Sequence, residues 1–324
     1  MSTLKVVVTD YAMENLDCER EVLAPLGCQL DSLKAGKGDD LIALVRDADA
    51  VITQFAPVNA EVIAAMTKAR VIVRYGIGVD NVDLKAAAAK GIPVCNVPDY
   101  CIDEVADHTL ALMLSATRAI GPCDNVIKAG QWKLPVPLGA LHALKHMTVG
   151  LVAFGRIARE VAARLKPFKC RILAYDPVVP AAAIRETGCE PATLEEVLAQ
   201  SDLLSLHCPS TEKTKYMINA TSIAKMKKGA ILVNASRGTL VDTPALVAAL
   251  QSGQLSAAAL DVTDPEPINP DNPLLKLGNV VITPHVASAS PQSVHNLRVS
   301  VATIAAKALR GEKLPNIVNG VPAR

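Results

Sequence analysis

Short runs of β-branched and aliphatic residues alternate along this chain with stretches that carry helical periodicity, and that alternation limits the possible folds most sharply. Residues 6–9, 50–53, 71–75 and 94–97 read as buried strands. Between them, residues 16–24, 41–47, 59–65 and 84–90 space their apolar side chains as helices do. Strand, helix, strand in this rhythm is the signature of a parallel sheet with crossover helices. A long helix is expected from Asp103 to about Ile120, followed by an aperiodic stretch around Gly130, Trp132, Pro135, Pro137 and Gly139. The pattern then restarts with a strand at 148–153 and a helix at 157–166. Further strands are expected at 171–175, 203–207, 230–234, 257–260 and 280–283, and a last helix runs from Pro291 through Leu309.

The expected architecture is α/β: two doubly wound parallel-sheet domains of Rossmann or flavodoxin-like type, with the active site in the cleft between them. A chain of 324 residues exceeds what one ordinary core supports. The final helix can carry the chain back to the first domain, so the boundaries fall at 1–99 plus 291–324 and at 100–290. A net charge of +1 gives no electrostatic case for nucleic acid or an acidic membrane. Scarce aromatic residues (3%) remove a base-stacking platform as well, which leaves a small molecule as the expected partner. Eight scattered cysteines show neither C-x-x-C nor zinc-like spacing, so buried thiols in a reducing compartment are expected and no metal. The chain opens almost at once on a strand and has no apolar run near the ~20 residues of a membrane span, which reads as cytoplasmic.

The strand at 148–153 runs into Ala153-Phe154-Gly155-Arg156-Ile157-Ala158, where an amphipathic helix begins. That placement fits a dinucleotide-binding turn, in which backbone amides at a helix N-terminus meet pyrophosphate. The usual G-x-G-x-x-G has become A-x-G-x-x-A. Gly155 holds the position of closest approach, Ala158 is a tolerated third residue, and Ala153 is a departure, because glycine normally eases the tight turn there. The next strand ends in Asp176, where a carboxylate can hold ribose hydroxyls and repel an additional phosphate. NAD is therefore expected rather than NADP. By themselves, Gly155 fits any tight turn and Asp176 fits a simple cap; the strand–turn–helix–strand context favours the cofactor.

Three polar clusters end predicted strands: Asn234-Ala235-Ser236-Arg237-Gly238, Asp261-Val262-Thr263-Asp264-Pro265-Glu266-Pro267 and Thr283-Pro284-His285. Hydride transfer at a carbon bearing a hydroxyl needs an acid/base for the oxygen-bound proton, a task that suits histidine. A carboxylate substrate needs an anchor, and arginine offers a two-pronged one.

With these clusters the chain resembles the D-isomer-specific 2-hydroxyacid dehydrogenases over almost its full length. The resemblance also rests on Arg74-Tyr75-Gly76-Ile77-Gly78-Val79-Asp80, on Asn96-Val97-Pro98 and on Glu104-Val105-Ala106-Asp107-His108. It implies hydride transfer between NAD(H) and C2 of a small 2-hydroxy or 2-oxo acid in a homodimer. Arg237 would polarise the substrate, His285 would move the proton, and Glu266 would pair with His285. Ala153, Gly155, Arg156, Ile157, Asp176, His207, Pro209 and Ala235 would line the cofactor, with Asp261 at the nicotinamide carboxamide. Tyr75, Gly76, Ile77 and Gly78 would grip the substrate carboxylate. His108 reads as packing or interface. The loop at 54–57 lacks the basic residue usual in relatives that handle phosphate, so a non-phosphorylated substrate is expected. The segment from Val94 to Cys101 is similar to the co-repressor branch, the C-terminal binding proteins. That leaves open an NAD(H)-sensing binding protein, and the altered glycine turn leaves open an unusual substrate.

Overall fold

A computed structural model describes residues 4–322. The chain divides into two compact units, one ending at Cys101 and resuming at Ser290, the other running Ile102–Ala289. The first contains β1 (Lys5–Val8), α1 (Asp17–Leu23), β2 (Gln29–Ser32), α2 (Gly38–Val45), β3 (Ala50–Thr53), α3 (Ala60–Ala65), β4 (Val71–Arg74), α4 (Leu84–Ala89) and β5 (Val94–Cys95). Its strands form one parallel sheet in the order β2-β1-β3-β4-β5. Alternation sends Val6, Val8, Ile52 and Val73 to one face and Val7, Val51 and Ile72 to the other. The first face is covered by α1 and by the chain's last helix, α12 (Pro291–Leu309), the second by α2 and α3.

The second unit holds α5 (Ile102–Arg118), α6 (Ile120–Lys128), β6 (Thr148–Val152), α7 (Arg156–Leu165), β7 (Arg171–Tyr175), α8 (Ala181–Glu186) and β8 (Glu190–Pro191). It continues with α9 (Leu194–Gln200), β9 (Leu203–Leu206), α10 (Ala220–Ala224), β10 (Ala230–Asn234), α11 (Thr243–Ser252), β11 (Leu255–Leu260) and β12 (Val280–Ile282). All seven strands pair in parallel, in the order β12-β11-β10-β9-β6-β7-β8. Val149, Leu151, Ala174 and Val233 pack towards α5 and α7; Val152, Leu173, Leu206 and Leu232 pack towards α9, α10 and α11. The helix expected from Asp103 to about Ile120 is α5, which stops at Arg118; Ala119 then turns left-handed (φ 51°), and α6, which was not expected, follows.

One buried charge cluster ties the first unit together. Glu19 on α1 has no solvent exposure, and Arg298 on α12 grips it with Nε at 2.9 Å and Nη2 at 2.7 Å. The Tyr75 hydroxyl donates to the same carboxylate at 3.0 Å. Burial, reinforced by Glu19, pushes the Tyr75 phenol well above its usual range, so it remains a donor. Removing one member of a buried pair strands the other charge. Arg298→Ala is therefore expected to lower stability by about 3–5 kcal/mol, read as the shift of the chemical-denaturation midpoint.

Candidate active site

Because every strand of the second sheet points the same way, their carboxyl ends share one edge. β6 lies between β9 and β7, where successive crossovers change direction, and ligands bind at such a switch point. Onto this edge the chain delivers Ala153 after β6, Asp176 after β7, His207 after β9, Arg237 after β10, Asp261 after β11 and His285 after β12.

The cofactor end begins at Ala153. Its φ of 72° lies in the left-handed region, which costs a residue with a Cβ about 1–2 kcal/mol. Its N–H donates to the Tyr175 carbonyl at 2.7 Å, and the chain then enters α7 at Gly155. A Cβ built on Gly155 would meet no atom within 4 Å, so this helix start presents open space beside its unpaired amides. Ala158 is completely buried against the sheet, which explains a small residue there. Asp176 closes the turn from the next strand: one oxygen accepts the Phe154 N–H at 2.7 Å, the other accepts those of Val178 (2.7 Å) and Val179 (2.9 Å). Burial works to raise its pKa, but these three amides and the Arg159 guanidinium outweigh burial and hold it below the ordinary carboxylate value. A fixed carboxylate one strand away from an open helix N-terminus suits ribose and pyrophosphate, respectively. His207 is pushed down to about 4 by burial, so its imidazole is neutral near pH 7, with Nε2 3.0 Å from Ser205 Oγ. Pro209 is exposed beyond it.

At the chemical end, Asn234 shapes the turn that carries Arg237. Its Nδ2 donates to the Arg237 carbonyl at 2.8 Å, and its Oδ1 accepts the Ser236 N–H at 3.0 Å. Gly238 allows this turn to lie flush on the loop bearing Glu266, because a Cβ there would stand 1.8 Å from the Thr263 carbonyl oxygen. Arg237 is partly buried, with Nη1 donating to the Ser236 carbonyl at 2.7 Å.

His285 sits at φ 52°, again left-handed, and its N–H reaches the carbonyls of Asp261 (2.8 Å) and Thr283 (3.0 Å). The next two amides, of Val286 and Ala287, both donate to the Asp261 carboxylate at 2.9 Å. The Thr283 hydroxyl donates to Asp261 Oδ1 at 2.6 Å. Successive amides converging on an anion form a nest, and each such charge-assisted bond contributes about 1.5–3 kcal/mol, enough to offset the backbone strain. His285 Nδ1 is hydrogen-bonded to Glu266 Oε1, so Nε2 is the nitrogen left for a substrate. This is a proton carrier with its ring orientation set by a carboxylate.

A family model described as "D-isomer specific 2-hydroxyacid dehydrogenase, NAD binding domain" matches residues 110–287. The chain belongs to the D-isomer-specific 2-hydroxyacid dehydrogenase family. It is 42% identical over 282 residues to a glyoxylate reductase of Korarchaeum cryptofilum, covering 86% of this chain and 85% of that protein. It is 40% identical over 304 residues to a D-3-phosphoglycerate dehydrogenase of Mycobacterium leprae, covering 93% of this chain. It spans only 57% of that relative's length. A D-lactate dehydrogenase from Aquifex aeolicus, solved with NAD and lactic acid, superposes with a TM-score of 0.86 at 28% identity, covering 95% of this chain and 96% of that one.

In this dehydrogenase fold, a nicotinamide cofactor fits the second unit's residues on the two features above, the open α7 N-terminus and the fixed Asp176 carboxylate. One sequence expectation needs correction. Tyr75 does not present its side chain to a ligand; it is buried and bonded to Glu19, because just after β4 it continues the strand's alternation into the core. The Asp261 side chain, expected at the carboxamide, has no exposure and accepts from Thr283 and the His285 loop. The sequence used Asn96 for the resemblance but gave it no role; its Nδ2 donates to the Ile77 carbonyl at 2.6 Å. With the Val97 N–H on the Gly76 carbonyl at 2.9 Å, it fixes the backbone of Gly76-Ile77-Gly78. Gly76, at φ 136°, is the residue such a turn requires.

The left-handed Ala153 makes a simple expectation. Ala153→Gly removes the Cβ strain and should stabilise the second unit by about 0.5–1 kcal/mol, read as a raised unfolding midpoint.

Proposed function

We propose that the protein reduces a small, non-phosphorylated 2-oxo acid with NADH, or runs the reverse reaction, D-specifically. The His285–Glu266 pair on the edge that also carries Arg237 is the observation that supports this most directly. Arg237 would hold the substrate carboxylate or polarise the 2-oxo group, giving the developing negative charge a fixed counter-charge. The bound nicotinamide would supply or accept the hydride at C2. In reduction, protonated His285 would deliver its Nε2 proton to the C2 oxygen; in oxidation, neutral Nε2 would take that proton. Glu266, bonded at Nδ1, would stabilise the imidazolium and keep the ring from rotating. In the first unit, Asn96 would keep the backbone of Ile77 and Gly78 in a shape suited to a carboxylate.

The loop after β3 favours a substrate without phosphate. Its backbone is held by the buried Asp10 carboxylate, which accepts the N–H groups of Gln54 (3.0 Å) and Phe55 (2.6 Å). The loop therefore carries an exposed aromatic ring and no cation, with two of its amides already taken by a carboxylate, a poor setting for a phosphate dianion.

A homodimer is the assembly we infer. Ile120 and Ile127 on α6 and Leu134 and Leu138 between α6 and β6 are exposed, and Trp132 is 94% exposed. Such a concentration of large apolar side chains in one short segment marks a protein–protein contact. No helix among the described residues is long and apolar enough to cross a membrane, and none of the eight cysteines is in a disulfide, which fits a reducing compartment such as the cytoplasm.

NADH oxidation followed at 340 nm across glyoxylate, hydroxypyruvate, pyruvate, phenylpyruvate and phosphohydroxypyruvate tests the activity. At least one unphosphorylated acid should exceed phosphohydroxypyruvate in kcat/KM by roughly 100-fold; the opposite order would reject the substrate class. His285→Ala should lower kcat by about 10²–10⁴ and Arg237→Ala by about 10²–10³, with circular dichroism unchanged. Sedimentation should show a dimer that Trp132→Glu with Leu138→Glu converts to a monomer; a wild-type monomer would remove the dimer.

A further inference from the structure

We propose that His108, on α5, is a positioning residue that sets the conformation of the His285 loop through Thr283 and Asp261. The proposal rests on the reading of His285 as the proton carrier. His108 Nε2 lies 3.0 Å from Thr283 Oγ1 and 3.4 Å from Asp261 Oδ1. Thr283 directs its single hydroxyl proton to Asp261 Oδ1, at 2.6 Å. The Thr283 oxygen can therefore only accept from His108, and the imidazole must carry a proton on Nε2. The reverse assignment would leave two oxygens 2.6 Å apart with no proton between them.

Every bond in the relay now has a direction. His108 donates to Thr283, Thr283 donates to Asp261, and Asp261 accepts Val286 and Ala287 from the far side. Asp261 is the hub, and its carboxylate has one orientation that serves all these donors. Without His108, the Thr283 hydroxyl loses its donor and is free to rotate away from Oδ1. The amides that hold His285 in its left-handed conformation then lose a fixed acceptor. The helix carrying His108 is anchored in the core by Ala106, Leu112 and Met113, so the relay starts from a rigid point. Misplacement of a catalytic group by about 1 Å costs about 100-fold in rate, so a small loosening of this loop is visible in turnover.

Two variants separate the relay from bulk packing. His108→Leu removes the donor, whereas His108→Gln keeps an N–H near the Nε2 position. In the protein without substrate or cofactor, amide hydrogen exchange at Val286 and Ala287 should quicken about tenfold in the leucine variant and stay within about twofold in the glutamine variant. With NADH and the best 2-oxo acid, the leucine variant should lose roughly 10–100-fold in kcat, with KM for NADH within about threefold, and glutamine should recover most of the loss. Unchanged exchange at 286–287 in the leucine variant overturns the proposal. Equal loss in both variants does so too, as does faster exchange spread evenly along α5. If the wild type turns over no 2-oxo acid, the hydride-transfer reading fails, and the exchange measurement still decides the role of His108.

Discussion

A buried carboxylate beneath a left-handed turn is the constraint on which the rest of this site depends. Asp261 accepts the amides that follow His285, and it does so from a position with no solvent exposure. An unpaired charge there would be costly, so the loop must curl back to satisfy it. In doing so, the loop turns His285 to meet Glu266. One residue therefore fixes the backbone, another the ring, and the outward nitrogen is determined by both.

The same device recurs at the cofactor end with different parts. Asp176 gathers three backbone amides, one of them from Phe154 in the glycine turn, and so ties β7 to the start of α7. In the first unit, Asp10 gathers two amides after β3. Parallel sheets bring strand ends together, but the loops beyond those ends have no ladder to define them. Carboxylates accepting backbone N–H groups supply that definition here, and they do so at the edges where ligands bind in such folds.

Much of this was legible in the residues alone. The buried strands of both sheets declare themselves by continuous aliphatic runs, and Asp176, Arg237, Glu266 and His285 stand at strand ends in a recognisable order. The short strands β2 and β8 were not legible, because Gln29-Leu30-Asp31-Ser32 and Glu190-Pro191 are polar, partly exposed edges. Tyr75 misleads because its motif points to the substrate while its place in the strand's alternation points to the core. The role of Asp261 depends on a loop 25 residues further on, and the contact between His108 and Thr283 spans 175 residues. No spacing rule reaches that far; only the folded sheet brings those groups together.

The account stands on His285 and Arg237 acting together on one reacting carbon. A crystal structure of the protein with NADH and oxamate, an inert 2-oxo acid analogue, tests this most directly. The account predicts His285 Nε2 within about 3 Å of the oxamate C2 oxygen and the Arg237 guanidinium bonded to the same molecule. Oxamate bound with His285 turned away from it, or with Arg237 engaged only by protein groups, would contradict the account.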